Sequence, residues 1–132
     1  MNLELDQLGR RLYAFLQGKS DEAADVLLTE DFTGHLTDGL PLALGGDYST
    51  RDDMIARGWG RVGQTFEMHL DLEALHVVGD NLLVGRGHYV GTAIPTGKPV
   101  RAAFAHFWTV ADNRVSSVYQ VTDSAAWEHA LG

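Results

Sequence analysis

The chain has 132 residues, 45% of them hydrophobic, a formal net charge of −8 and no cysteine. That length and apolar content suit one domain over residues 1–132 with a packed core, and exclude a disordered chain. The acid excess disfavours nucleic acid and anionic membrane as partners, and the lack of cysteine excludes disulfides, thiolate metal sites and a cysteine nucleophile. The opening MNLELDQLGRRL has no apolar signal core and no run approaches a membrane span, so a cytoplasmic location is expected.

Leu5, Leu8, Leu12 and Leu16 recur at helical spacing, with Tyr13 and Phe15 beside them and Gly18 as the stop. Ser20 or Asp21 is placed to cap a second helix whose apolar side is Ala24, Leu27 and Leu28. Residues 29–47, TEDFTGHLTDGLPLALGGD, read as a loop or short-strand region. Thr50 or Ser49 then caps a third helix, roughly Arg51 to Val62, with Met54, Ile55, Gly58, Trp59 and Val62 on its apolar side.

Beyond it the period changes to two. Phe66, Met68, Leu70 and Leu72 alternate with Glu67, His69, Asp71 and Glu73, the pattern of a half-buried strand. After Gly79-Asp80-Asn81, Leu82 to Thr92 forms the next strand, and Val84, Arg86, His88 and Val90 are assigned to its inner face. Gly85, Gly87, Tyr89 and Gly91 then make a flat outer face, the ground for expecting a homodimer. Pro95, Gly97 and Pro99 mark a hairpin loop. Val100 to Val110 and Val115 to Val121 are strands joined by Ala111-Asp112-Asn113-Arg114, whose Asp and Asn tolerate the left-handed conformation of a tight hairpin. Asp123 caps a last helix over residues 124–131. Helices first and an antiparallel meander after them give an α+β fold, with N-terminal helices packed on a curved four-stranded meander.

Strand alternation puts Phe104, His106 and Trp108 on one face and Val118, Gln120 and Thr122 on one face of the neighbouring strand. With His88 assigned inward, His88, His106 and Gln120 stand side by side, a polar patch able to move a proton or hold an oxyanion. The same residues read equally as core histidines satisfied by backbone or water. Zinc held by these two histidines and His35 is a third option, but no close-spaced histidine pair supports it, and no metal or cofactor is expected. Asp38, in a Thr-Asp-Gly loop, and His35 are candidates for a base at the mouth of a pocket, with a plain turn role for Asp38 as the alternative. Tyr13, Trp59 and Arg86, together with Phe104, Trp108 and Val118, are the expected pocket residues. Gly58-Trp59-Gly60-Arg61-Val62-Gly63 matches G-x-G-x-x-G, yet it follows a helix and leads into a strand, the reverse of what a dinucleotide site needs.

The stretches LLTEDF (27–32), GGDYSTRDDM (45–54), TGKPVRAAFAHFWTVADNRV (96–115) and YQVTDSAAW (119–127) resemble the nuclear transport factor 2-like superfamily, and within it the SnoaL-like and ketosteroid isomerase-like branch. The resemblance implies a cone-shaped α+β barrel with one apolar pocket. His106 falls where ketosteroid isomerases place the protonated aspartate of their oxyanion hole, Tyr13 near the isomerase tyrosine, and Asp38 or His35 near the general base. Gln120 stands where epoxide hydrolases and some cyclases of this fold carry a catalytic aspartate, and an amide cannot be a general base. The implied activity is acid–base chemistry on a small hydrophobic carbonyl compound, polyketide- or steroid-like, by isomerisation or cyclisation. The alternative is a non-catalytic small-molecule binding protein using the same pocket.

Overall fold

The computed structural model describes residues 2–132. Helix α1 (Leu3–Leu16) starts where the Asn2 side chain accepts a hydrogen bond from the Leu5 amide, and Gly18, at φ +70°, turns the chain out of it. Leu5, Leu8, Leu12 and Tyr13 are buried along one side, each leucine contributing roughly 1.5–3 kcal/mol relative to an exposed position. Helix α2 (Ala24–Leu27) is a single turn that passes directly into strand β1 (Leu28–Leu36), and β2 (Gly46–Tyr48) folds back along it.

The third helix covers 51–65. The Thr50 hydroxyl caps it by accepting from the Asp53 amide, and a π-helical stretch, Met54–Trp59, lies between α-helical Arg51–Asp53 and Gly60–Thr65. Buried Met54 and Gly58 seat the widened turn against Tyr48. Strands β3 (Phe66–Val78), β4 (Leu82–Ala93), β5 (Pro99–Ala111) and β6 (Arg114–Thr122) follow, and the C-terminal helix (Ser124–Leu131) is capped by Asp123. Between β5 and β6, Asp112 (φ 52°) and Asn113 (φ 61°) take the two left-handed positions of a tight hairpin turn, as their chemistry predicts.

All six strands form one curved, unclosed sheet in the order β2-β1-β6-β5-β4-β3, antiparallel throughout except for the parallel pair β1 and β6. The fold is therefore the expected α+β cone, with helices on the concave side and the core between them. No helix among the described residues is long and apolar enough to cross a membrane.

Three expectations need correction. The four-stranded meander, β3 to β6, is present as expected but is extended to six strands, because residues 28–36 and 46–48, within the stretch read as a loop or short-strand region, form β1 and β2. The alternation of β1 is broken where Glu30 and Asp31 are both exposed and the pairing with β6 shifts register, so the segment lacks a strand's clean period. The second helix ends at Leu27 and has no side-chain cap; Ser20 accepts instead from the Glu22 amide. The faces of β4 are reversed. Leu83, Gly85, Gly87 and Tyr89 face inward opposite Trp108, His106, Phe104 and Ala102, while Val84, Arg86, His88 and Val90 lie on the outer face. Glycine is inward because space is needed there: a methyl on Gly85 would overlap the Tyr13 hydroxyl, which packs down from α1.

Candidate active site

The inner face brings together side chains from α1, β4, β5 and β6. On β5, His106 lies opposite Gly85 on one side and Gln120 on the other. The room left by Gly85 lets the Tyr13 phenol reach His106, and Tyr89, four residues along the same face of β4, reaches it from the other end. The Tyr13 hydroxyl is 2.8 Å from His106 Nδ1, and the Tyr89 hydroxyl is 2.7 Å from Nε2. Trp108 Nε1–H donates to the Tyr13 hydroxyl oxygen at 3.0 Å, and Gln120 Nε2–H donates to that of Tyr89 at 2.8 Å. Thr37, just past β1, closes the series: its amide donates to Gln120 Oε1 at 3.1 Å and its hydroxyl to the Gln120 carbonyl at 2.9 Å. The result is one unbroken polar chain, Trp108–Tyr13–His106–Tyr89–Gln120–Thr37, inside an aromatic shell. Phe104 stacks on the His106 ring with centroids 4.3 Å apart, and Trp108 meets it edge-on.

Burial sets the charge state of this chain. His106 is 4% exposed, and desolvation pushes its imidazolium pKa down from 6.5 to about 3, so the ring is neutral across the physiological range. Burial pushes both phenols up. The hydrogen bond from Trp108 opposes this at Tyr13, and that from Gln120 opposes it at Tyr89, without reversing it. The site is therefore a dry array of neutral donors and acceptors with no fixed charge.

A cavity of about 140 Å³ opens beside it, between the sheet and the third helix. Trp59, Trp108 and Val118 contribute to its apolar walls, and Tyr89, His106 and Gln120 to its polar end. The space is of the order that admits a single apolar ring. No carboxylate borders it among the described residues; His69 of β3 does. Its pairing with Val90 puts the His69 side chain on the outer face.

Of the residues singled out from the sequence, His106, Gln120, Trp59, Trp108 and Val118 border the cavity, with Tyr13 and Phe104 behind them in contact with His106. The others are elsewhere. His88 is on the outer face, 2.6 Å from Glu73, and Arg86 donates to His76 on the same side. His35 stacks on Tyr119 and reaches Asp47 at 2.8 Å and Asp38 at 3.6 Å, with both aspartates exposed. The three histidines weighed as a zinc set are thus split between two faces of the sheet. No group of His, Asp or Glu placed to hold a metal occurs among the described residues. The G-x-G-x-x-G stretch lies wholly within the third helix. Tyr89, which the sequence reading places on the flat outer face of its strand, and Thr37 are the site residues that reading misses. The signal for Tyr89 was its two-residue spacing from Gly85 and Gly87, the small residues that face large aromatics on β5.

The sequence model of the SnoaL-like domain matches residues 9–118. The chain belongs to the SnoaL-like domain family. Among solved structures it is similar to an NTF2-like protein from Burkholderia thailandensis, with 26% identity over 96% of this chain and 95% of that one, and a TM-score of 0.84. An NTF2-like protein of unknown function from Burkholderia pseudomallei shares 25% identity over 98% of each chain, with a TM-score of 0.81. TerC, co-crystallised with polyporic acid, has the same fold at 18% identity, 97% and 98% coverage and a TM-score of 0.83. No curated protein sequence matches the chain. The family resemblance seen in the sequence stands.

Proposed function

We propose that this SnoaL-like protein binds a compact, apolar carbonyl compound and polarises its carbonyl oxygen, so that an α-proton passes to water at the cavity mouth and returns from it, as in an isomerisation or an aldol-type cyclisation. The observation that carries the reading is the buried chain of neutral hydrogen-bonding groups ending at the cavity. Donors fixed in a water-poor site stabilise negative charge developing on an oxygen far better than water does, because they need no reorganisation. His106 acts in this reading by position. Both its nitrogens are engaged by phenols, so it aims the two tyrosines rather than touching the substrate itself. TerC, of the same fold, was co-crystallised with polyporic acid, which supports a small-molecule ligand on this scaffold.

The second reading, a protein that binds such a compound without turning it over, is favoured by the lack of any carboxylate bordering the cavity. Exchange of the α-protons of cyclohexanone in heavy water, followed by proton NMR, separates the two. The enzyme reading expects exchange well above the buffer rate, falling roughly 10²-fold in His106→Phe when both proteins are assayed well below their melting temperatures, since loss of both phenol contacts also costs about 1–3 kcal/mol of stability. His129→Phe, at an exposed position of the C-terminal helix, is the control. Saturable binding with exchange no faster than in buffer puts the binding protein ahead.

A further inference from the structure

The hydrogen-bond chain can be read proton by proton. Trp108 Nε1 can only donate, so the Tyr13 oxygen must accept from it. At the other end the Thr37 amide can only donate, so the Gln120 side-chain oxygen faces Thr37 and its NH₂ faces Tyr89. The Tyr89 oxygen must therefore accept from Gln120. Two contacts remain, Tyr13–His106 and His106–Tyr89, and a neutral imidazole offers one proton to set beside two hydroxyl protons. Three protons for two contacts leave one over, and it belongs to one of the tyrosines.

The surroundings decide which. The Tyr13 hydroxyl is pressed against the backbone at Gly85, in a place that even a methyl group could not share. Besides His106 and Trp108 it has no hydrogen-bond partner among the described residues. A spare proton there would be a buried donor without an acceptor, the costly arrangement. Tyr89 borders the cavity, and Tyr13 does not. Tyr13 O–H therefore donates to Nδ1, Nε2–H donates to the Tyr89 oxygen, and the Tyr89 hydroxyl keeps its own proton free.

We infer that Tyr89 is the group that touches the substrate oxygen, its proton released toward the cavity by the Nε2–H tautomer of His106, with the second Gln120 amide proton beside it. This rests on the reading of the cavity as a carbonyl site and narrows it. The ligand is a single-ring ketone or enone whose oxygen accepts from a neutral hydroxyl. A carboxylic acid or an ammonium finds no countercharge, since the only ionisable side chains directed to the cavity among the described residues are those of Tyr89 and His106.

The test uses the intact chain and two probes of one shape, cyclohexanone and methylenecyclohexane, titrated while the tryptophan indole NMR signals are followed. The wild type should prefer the ketone, and Tyr89→Phe should weaken ketone binding roughly tenfold while leaving the hydrocarbon's unchanged. A ¹H–¹⁵N spectrum of protein with labelled histidine, assigned by the signal lost in His106→Asn, should show the proton on Nε2. Ketone affinity unaltered in Tyr89→Phe, or a proton on Nδ1, overturns the inference; the nitrogen spectrum of the wild type decides this even if the variant does not fold. If neither probe binds, the carbonyl-site reading falls and the ligand class with it. Ketone preference without α-proton exchange removes catalysis from the proposed function but leaves Tyr89 as the donor.

Discussion

At the scale of single residues, His106 ties the stability of the fold to pH. Its folded-state pKa, about 3, lies below the unfolded value of 6.5, so the unfolded chain takes up the proton first as pH falls. Stability is unaffected by this group above pH 6.5. It declines below that by up to about 1.4 kcal/mol per unit, until the folded pKa is reached. Between pH 7 and pH 5 the wild type should lose about 2 kcal/mol through this residue. His106→Asn, compared by urea unfolding at both pH values, should lose much less. His35 and His88 remain in both proteins, so an equal loss in the two would assign the acid sensitivity elsewhere. The inward placing of His106 and Gln120 was legible from strand alternation alone. Their partners were not, because a hydrogen-bonding role for Tyr13 or Tyr89 depends on which surfaces meet, and the period of one strand does not carry that.

Among the elements, β4 shows why side-chain polarity misassigns a face. Val84 and Val90 outweigh glycine on any hydropathy argument, yet Gly85 turns inward because the Tyr13 hydroxyl fills the space beside it, and Gly87 because the Asp71 backbone carbonyl of β3 does. Gly85→Ala tests this directly. The added methyl meets the Tyr13 hydroxyl, so Tyr13 must withdraw from His106 at a cost of about 1–3 kcal/mol, seen as a lowered urea midpoint. An unchanged midpoint would mean that the phenol does not occupy that space. Strand β1 was hidden for another reason. Its parallel partner β6 is distant in sequence, and the irregularity at Glu30-Asp31 erases the alternation that marked β3, β5 and β6. The caps at Thr50 and Asp123 and the Asp112-Asn113 turn were legible because each depends only on local backbone chemistry.

For the whole molecule, the sheet has two unlike faces. The concave face holds the aromatic core and the cavity. The convex face carries Phe107 (39% exposed), Tyr119 (53%) and Val121 (47%) among charged neighbours. We propose that this convex face, and not the glycine row, pairs two copies of the chain. Sedimentation at micromolar concentration should give a species of twice the 14.4 kDa chain mass, and Phe107→Lys should dissociate it. A single 14.4 kDa species for the wild type would exclude the pairing.

The two faces also hold the two competing sets of titratable groups. His35, Asp38, Asp47, His88 and Glu73 are on or beside the convex side, and Tyr13, His106 and Tyr89 are within the concave one. Polar contacts of the first kind, at the surface, are worth little energetically, whereas the second set is buried and fully connected. The measurement that separates them most directly is a crystal structure of the protein soaked with cyclohex-2-enone. The ring should lie between Trp59 and Val118, with its oxygen about 3 Å from the Tyr89 hydroxyl. An enone bound instead beside His35 and Asp38, with the cavity empty, would contradict it.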